Sequence, residues 1–220
     1  MFGLIHGLCE FAFKKPEMRV LLLGVDEAGK TNMLEKMKGT FANITAIPKE
    51  QIKTTVGLNV AKLEAFGTEF TFWDLGGLER LRPIWLKYYR EAHGIFFVVD
   101  SSDDKRIDEA RLVFNRVLKH EDLKHAPVLI LANKIDVSGP EGFTMVKTAF
   151  EISALNSNTT TKVKNGKEKT INNNSSDNNT YSVAKRVIGV SAYTGQGIKE
   201  AVEWMVNEVN GGIRQRELAY

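Results

Sequence analysis

Cysteine is nearly absent: Cys9 is the only one in 220 residues. A single thiol excludes an internal disulfide framework and a cysteine-built zinc site, and it fits a reducing compartment. Histidine is scarce as well, and His6, His93, His120 and His125 show no metal-ligand spacing. No apolar run approaches the roughly 18–20 residues that a membrane span needs. The longest, 95–99 and 128–132, hold five residues each. Charge of one sign is also lacking. Thirty Lys and Arg against 27 Asp and Glu leave +3, too balanced for a nucleic-acid binder. The first residues do not read as a secretory signal, because Lys14 and Lys15 follow the apolar stretch instead of preceding it. With 43% hydrophobic and 26% charged residues, a globular, cytosolic chain is expected, with room for contact at a membrane surface.

Three segments follow. Residues 1–15 offer a short, very apolar amphipathic helix, with Phe2, Ile5, Cys9 and Ala12 on one stripe and Leu4, Leu8 and Phe11 beside it. Pro16 ends it. The body, 16–212, alternates short apolar strands with amphipathic helices. Strands are expected at 19–23, 58–65, 69–73, 94–99, 127–132 and 186–190, and helices at 31–37, 107–119, 144–152 and 198–209. This alternation predicts an α/β fold, a mostly parallel six-stranded sheet with helices on both faces. The adjacent pair, turned at Phe66-Gly67, predicts one antiparallel edge strand. Residues 156–179 contain eight asparagines, and only Val163 and Ile171 are large and apolar. That stretch is expected to be a disordered insert, spanning about 155–180, because it buries too little to offset its ordering entropy. Residues 213–220 are expected to form a tail.

The chemistry begins at Gly24-Val25-Asp26-Glu27-Ala28-Gly29-Lys30-Thr31, a G-x-x-x-x-G-K-[ST] loop between a strand and a helix. Its glycines let successive backbone N–H groups, those around Asp26, Ala28 and Gly29 included, converge on phosphate oxygens. Lys30 adds a cation for the β and γ phosphates, and the Thr31 hydroxyl is a hard ligand for Mg²⁺. Asn32 can bond the α phosphate. Asn133-Lys134-Ile135-Asp136 follows a buried strand, where open sheets bind ligands. The Asp136 carboxylate can accept from guanine N1–H and its exocyclic amine, which adenine cannot match. Lys134 can lie over the purine, and Asn133 can tie this loop to the phosphate loop. Ser191-Ala192 can offer a backbone N–H to guanine O6. Asp74, in Trp73-Asp74-Leu75-Gly76-Gly77, is placed to hold a water on Mg²⁺. Gly77 can bring its N–H to the γ phosphate. Thr55 supplies a second hydroxyl for the metal, although taken alone it reads equally well as an ordinary loop residue.

Together, these motifs and 82–89 (Arg-Pro-Ile-Trp-Leu-Lys-Tyr-Tyr) resemble the ADP-ribosylation-factor family of small GTPases, most of all its related-protein branch. The resemblance covers nearly all of 1–153 and 181–210. It implies a P-loop GTPase fold (a G domain), GTP and GDP with Mg²⁺ as ligands, and a monomeric switch of Golgi and vesicle traffic. It also implies an exchange factor, an activating protein and effectors reading about 45–90, with Leu58, Trp73 and Tyr88 as a hydrophobic triad. Residues 1–15 would meet the Golgi membrane or a receptor there. GTP would slide the strand pair 58–73 by two residues and expel the N-terminal helix. A two-residue slip keeps each side chain on its own face.

The chain departs from the family at three points. Leu78 stands where the family carries the glutamine that orients the attacking water, so slow hydrolysis is expected. Asp26, near the phosphates, is expected to slow it further. Phe2 replaces the glycine needed for myristoylation, which leaves an acetylated start as the expected anchor. Asn32 replaces a threonine. Two other readings remain: a permanently GTP-loaded scaffold, which Leu78 keeps open, and a metabolic phosphotransferase, which would need an arginine-bearing lid that the sequence lacks.

Overall fold

The computed structural model describes residues 15–44, 47–48, 51–156, 159–164, 167–172 and 185–217. Strand β1 (Glu17–Leu23) leads into helix α1 (Lys30–Phe41). Strands β2 (Leu58–Ala65) and β3 (Thr68–Leu75) follow, then a 3-10 turn (Glu79–Trp85) and the short helix α2 (Leu86–Tyr89). Next come β4 (Gly94–Asp100), α3 (Ile107–Leu118), β5 (Val128–Asn133) and α4 (Ile135–Asn156). After these come β6 (Thr159–Lys164), β7 (Lys167–Asn172), β8 (Lys185–Gly189) and α5 (Ile198–Glu217). The main sheet has six strands in the order β2-β3-β1-β4-β5-β8. Only β2 runs antiparallel, pairing Leu58 with Leu75 and Ala65 with Thr68. The expected α/β architecture with one antiparallel edge is therefore present.

Successive phenylalanines in β4 show how both faces are filled, because neighbouring strand residues point to opposite sides. Phe97 meets Phe114 of α3 and Phe150 of α4, with ring centroids 5.0 and 6.2 Å away. Phe96, on the other face, lies 5.9 Å from Phe72 of β3. Gly94 shares the face of Phe96, and a Cβ there would strike the Met205 sulfur of α5, so α5 packs on that side. The β2–β3 turn runs through Phe66 (φ 49°) and Gly67 (φ 71°), the left-handed pair that a tight hairpin requires.

Several element bounds fall elsewhere than expected. Within the stretch expected to be a disordered insert, the described residues include the antiparallel pair β6–β7, with Thr159 opposite Asn172 and Lys164 opposite Lys167. Helix α5 runs on to Glu217, into the stretch expected to be a tail. Helix α4 starts earlier than expected and is broken at Gly139 (φ 62°, ψ −161°), with Pro140 restarting it. The N-terminal helix predicted over 1–15 lies outside the described residues except for Lys15.

Candidate functional site

The phosphate loop folds as it does because β1 must turn sharply into α1. Gly24 has φ 140°, and a Cβ on it would strike the Val98 carbonyl oxygen of β4, so no larger residue fits. Glu27 (φ 62°) and Gly29 (φ 89°) are left-handed too, which turns the intervening N–H groups inward. The helix that begins at Lys30 adds its positive end. Lys30 itself is 6% exposed. Its Nζ donates to the carbonyls of Gly24 (3.0 Å) and Val25 (2.7 Å). Burial pushes its pKa down to about 8, although Asp74 and Asp26 pull the other way. A buried ammonium held only by carbonyls needs an anion, and phosphate supplies one.

Beside it lies an oxygen cluster from three separate segments. Thr31 Oγ1 donates to Asp74 Oδ2 at 2.7 Å. Thr55 Oγ1 lies 2.7 Å from Thr31 Oγ1 and 3.3 Å from Asp74 Oδ2. Asp74 is fully buried, and its Oδ1 makes no hydrogen bond of good geometry among the described residues. Burial raises its pKa, against the pull of Thr31, Lys30, Asn59 and Thr55. Two hydroxyls and a desolvated carboxylate with an orphaned oxygen form a hard donor set that fits Mg²⁺. Thr31 and Thr55 would ligate it, with Asp74 acting through water. Gly77 closes the far side. A Cβ there would sit 2.5 Å from both Lys30 Nζ and the Val25 carbonyl carbon, so only glycine lets this backbone approach.

A cavity of about 350 Å³ over Lys30, Thr31, Thr55 and Gly77 joins one of about 390 Å³ over Asn133, Lys134, Asp136 and Ala192. Gly29, Asn32, Ile52 and Lys134 border both, forming one cleft with a phosphate end and a base end. That size suits a nucleotide. Asn133, 1% exposed, joins the ends, donating to the Ala28 carbonyl at 2.8 Å and accepting from Ala192 N–H at 2.9 Å. Lys134, left-handed at φ 69°, pairs with Asp100. Asp136 is exposed at the rim, free to meet a base edge.

Two sets of contacts bear on the expected roles here. The O6 donors are already engaged: Ser191 N–H bonds the Gln196 carbonyl at 3.0 Å, and Ala192 N–H bonds Asn133. Asp26 does not face the phosphate end with a bare charge. Arg106 holds its carboxylate at 2.8 Å, which outweighs the raising effect of burial and leaves its pKa lowered. Leu78 is half-buried and starts the 3-10 turn, where it offers no polar side-chain atom. Trp73 and Tyr88 meet edge to face at 5.3 Å, with Leu58 partly buried nearby on the same core. Sequence reasoning missed Asp100, Arg106 and Glu109, and gave Arg82 no role of its own within 82–89. Asp100 could have been found from its place at a strand's carboxyl end, whereas Arg106 and Glu109 have no motif and meet Arg82 only through the fold.

A family model, ADP-ribosylation factor family, matches residues 5–209. ADP-ribosylation factor-related protein 1 of Homo sapiens is 37% identical over 223 residues, covering 99% of this chain and all of the relative. ADP-ribosylation factor-like protein 3 of Saccharomyces cerevisiae is 34% identical over 226 residues, with full coverage of both. A solved structure of the Arl6 BBS3 small GTPase from Trypanosoma brucei, with bound nucleotide analogue GppNp, superposes with a TM-score of 0.66. It is 24% identical and covers 89% of this chain and 99% of that one, a likeness of fold.

Proposed function

Because the chain belongs to the ADP-ribosylation factor family and is a small GTPase that binds GTP and GDP with Mg²⁺, we propose that it switches Golgi and vesicle membrane traffic. In this reading, GTP slides the strand pair 58–73 by two residues and effectors read about 45–90, while an exchange factor and an activating protein set the cycle. The observation that carries it is the Thr31–Thr55–Asp74 cluster with Gly77 against Lys30. A γ phosphate and its metal would give these two loops contacts that GDP cannot give, and such a difference is what biases a switch. Around the Trp73–Tyr88 pair, Val56 (79% exposed), Val60 (48%) and Leu86 (51%) supply apolar surface for an effector to cover.

Hydrolysis in this reading is slow, because Leu78 cannot orient water. That property also supports the second reading, a scaffold that stays loaded with GTP. The phosphotransferase reading falls with family membership. Among the described residues, no helix is long and apolar enough to cross a membrane. Residues 1–15 would dock reversibly at the Golgi surface through an acetylated start and a receptor. The protein acts as a monomer and binds no nucleic acid. The test is flotation of the full chain with Golgi-enriched membranes, loaded with GDP or with a non-hydrolysable GTP analogue. Recovery with the membranes only in the triphosphate form supports the proposal, and equal recovery in both forms contradicts it.

A further inference from the structure

The backbone after β3 is held from two sides although Leu78 contributes no hydrogen bond through its side chain. The Trp85 indole N–H, in a residue 2% exposed, donates to the Gly76 carbonyl at 2.9 Å. Arg82 Nε donates to the Gly77 carbonyl at 2.8 Å, and Arg82 Nη2 donates to Glu109 Oε1 on α3 at 2.6 Å. The other Glu109 oxygen accepts from Arg106 Nε at 3.0 Å. Arg106 in turn reaches Asp26, at its carboxylate (2.8 Å) and its carbonyl (3.2 Å). The phosphate loop, α3 and the Gly77 backbone are thus joined by one continuous chain of charge-assisted bonds.

The geometry of a trans peptide gives this chain a consequence. The carbonyl and the N–H of one peptide link point to opposite sides. The Gly76 carbonyl and the Gly77 N–H belong to the same link, so the Trp85 bond turns that N–H away from Trp85. Arg82 then fixes the next link, and the two glycines lose the freedom to swing. Gly77 meanwhile lies close against Lys30 and Val25. Burial would raise the Glu109 carboxyl, but the two arginines outweigh it and keep it anionic at neutral pH.

We propose that Arg82, anchored by Glu109, is a positioning residue that fixes the peptide link after Gly77, so that the Gly77 N–H, whose own link Trp85 holds, stays aimed at the γ phosphate and preference for GTP over GDP depends on a pair that touches neither nucleotide. This rests on the nucleotide-switch reading above. The experiment measures release of GDP and of a non-hydrolysable GTP analogue from Mg²⁺-loaded protein, together with thermal midpoints, for Arg82→Ala, Arg82→Lys, Glu109→Gln and Arg82→Ala with Glu109→Gln. Arg82→Ala should speed release of the triphosphate about tenfold, the worth of a charge-assisted bond, and change GDP release less than about twofold. Glu109→Gln should act in the same direction, and the double variant should be no worse than Arg82→Ala alone. Lysine reaches one acceptor but not both, so Arg82→Lys should recover only part. Equal acceleration for both nucleotides, or an unchanged ratio, overturns the proposal and leaves Arg82 as ordinary packing. Should Arg82→Ala not fold, Glu109→Gln carries the same test. Failure of the unaltered protein to retain either guanine nucleotide would instead overturn the switch reading beneath it.

Discussion

Thr55 Oγ1 lies 2.7 Å from Thr31 Oγ1, although 24 positions separate them in the chain. One hydroxyl opens α1, and the other sits in the loop before β2. Both converge on the buried Asp74 carboxylate, which relies on them and on Lys30 for compensation. A divalent ion placed there would replace weak hydroxyl bonds with direct ligation and use the orphaned oxygen through water.

Stripping the metal should therefore loosen the nucleotide. With excess EDTA, release of bound GDP should accelerate by at least about tenfold, the order expected for losing one charge-assisted contact. Thr31→Ala should release nucleotide quickly with or without EDTA. A fluorescent GDP analogue checks both. Identical rates before and after chelation would show that the cluster does not serve a metal.

Leu78→Gln should raise single-turnover GTP hydrolysis on the order of a hundredfold, the gain expected from fixing a reactant in line. Nucleotide affinity should stay within about threefold, because Leu78 makes no polar contact with the cleft. Rapid-quench measurement of released phosphate checks this. Equal hydrolysis by both proteins would mean that water is oriented by another group.

Lys30 gives nucleotide binding a pH dependence of definite sign. In the nucleotide-free protein, burial lowers its pKa to about 8. Bound phosphates add negative charge and raise it again, so the complex keeps its proton to higher pH than the free protein. Affinity is thus full below about pH 8 and falls as pH rises beyond it, by up to about tenfold per unit. Calorimetry in two buffers of different ionisation heat should find proton uptake approaching one at about pH 9 and little at about pH 7. Uptake that does not change with pH would contradict the assignment.

Much of this was legible in the chain, for physical reasons. The strand at β4 shows because a parallel strand buried on both faces must be apolar throughout, as residues 95–99 are. The phosphate loop shows because its backbone geometry restricts residue type, most strictly at Gly24. Asn133 bridges the two ends of the cleft as its spacing suggested. Other features left no local trace. Arg106 and Glu109 look like ordinary surface charges in sequence, and only the packing of α3 beside the phosphate loop joins them to Asp26 and, through Arg82, to Gly77. The engaged N–H groups of Ser191 and Ala192 were invisible for the same reason, since their partners Gln196 and Asn133 are set by loop geometry.

Asp136 should decide which base enters. Asp136→Asn exchanges an acceptor for a donor and should weaken GTP binding by about a hundredfold or more while favouring xanthosine triphosphate, whose C2 carbonyl can accept that donor. Competition against labelled GTP measures the change. Unaltered guanine preference would place base recognition elsewhere in the cleft.

The central claim is that a single cleft reads a guanine base at Asp136 and a phosphate tail at Lys30. Isothermal calorimetry of the nucleotide-free protein with Mg²⁺ and either GTP or ATP tests it most directly. The account predicts tight one-to-one binding of GTP and no measurable heat with ATP. Comparable binding of ATP, or none of GTP, would contradict it.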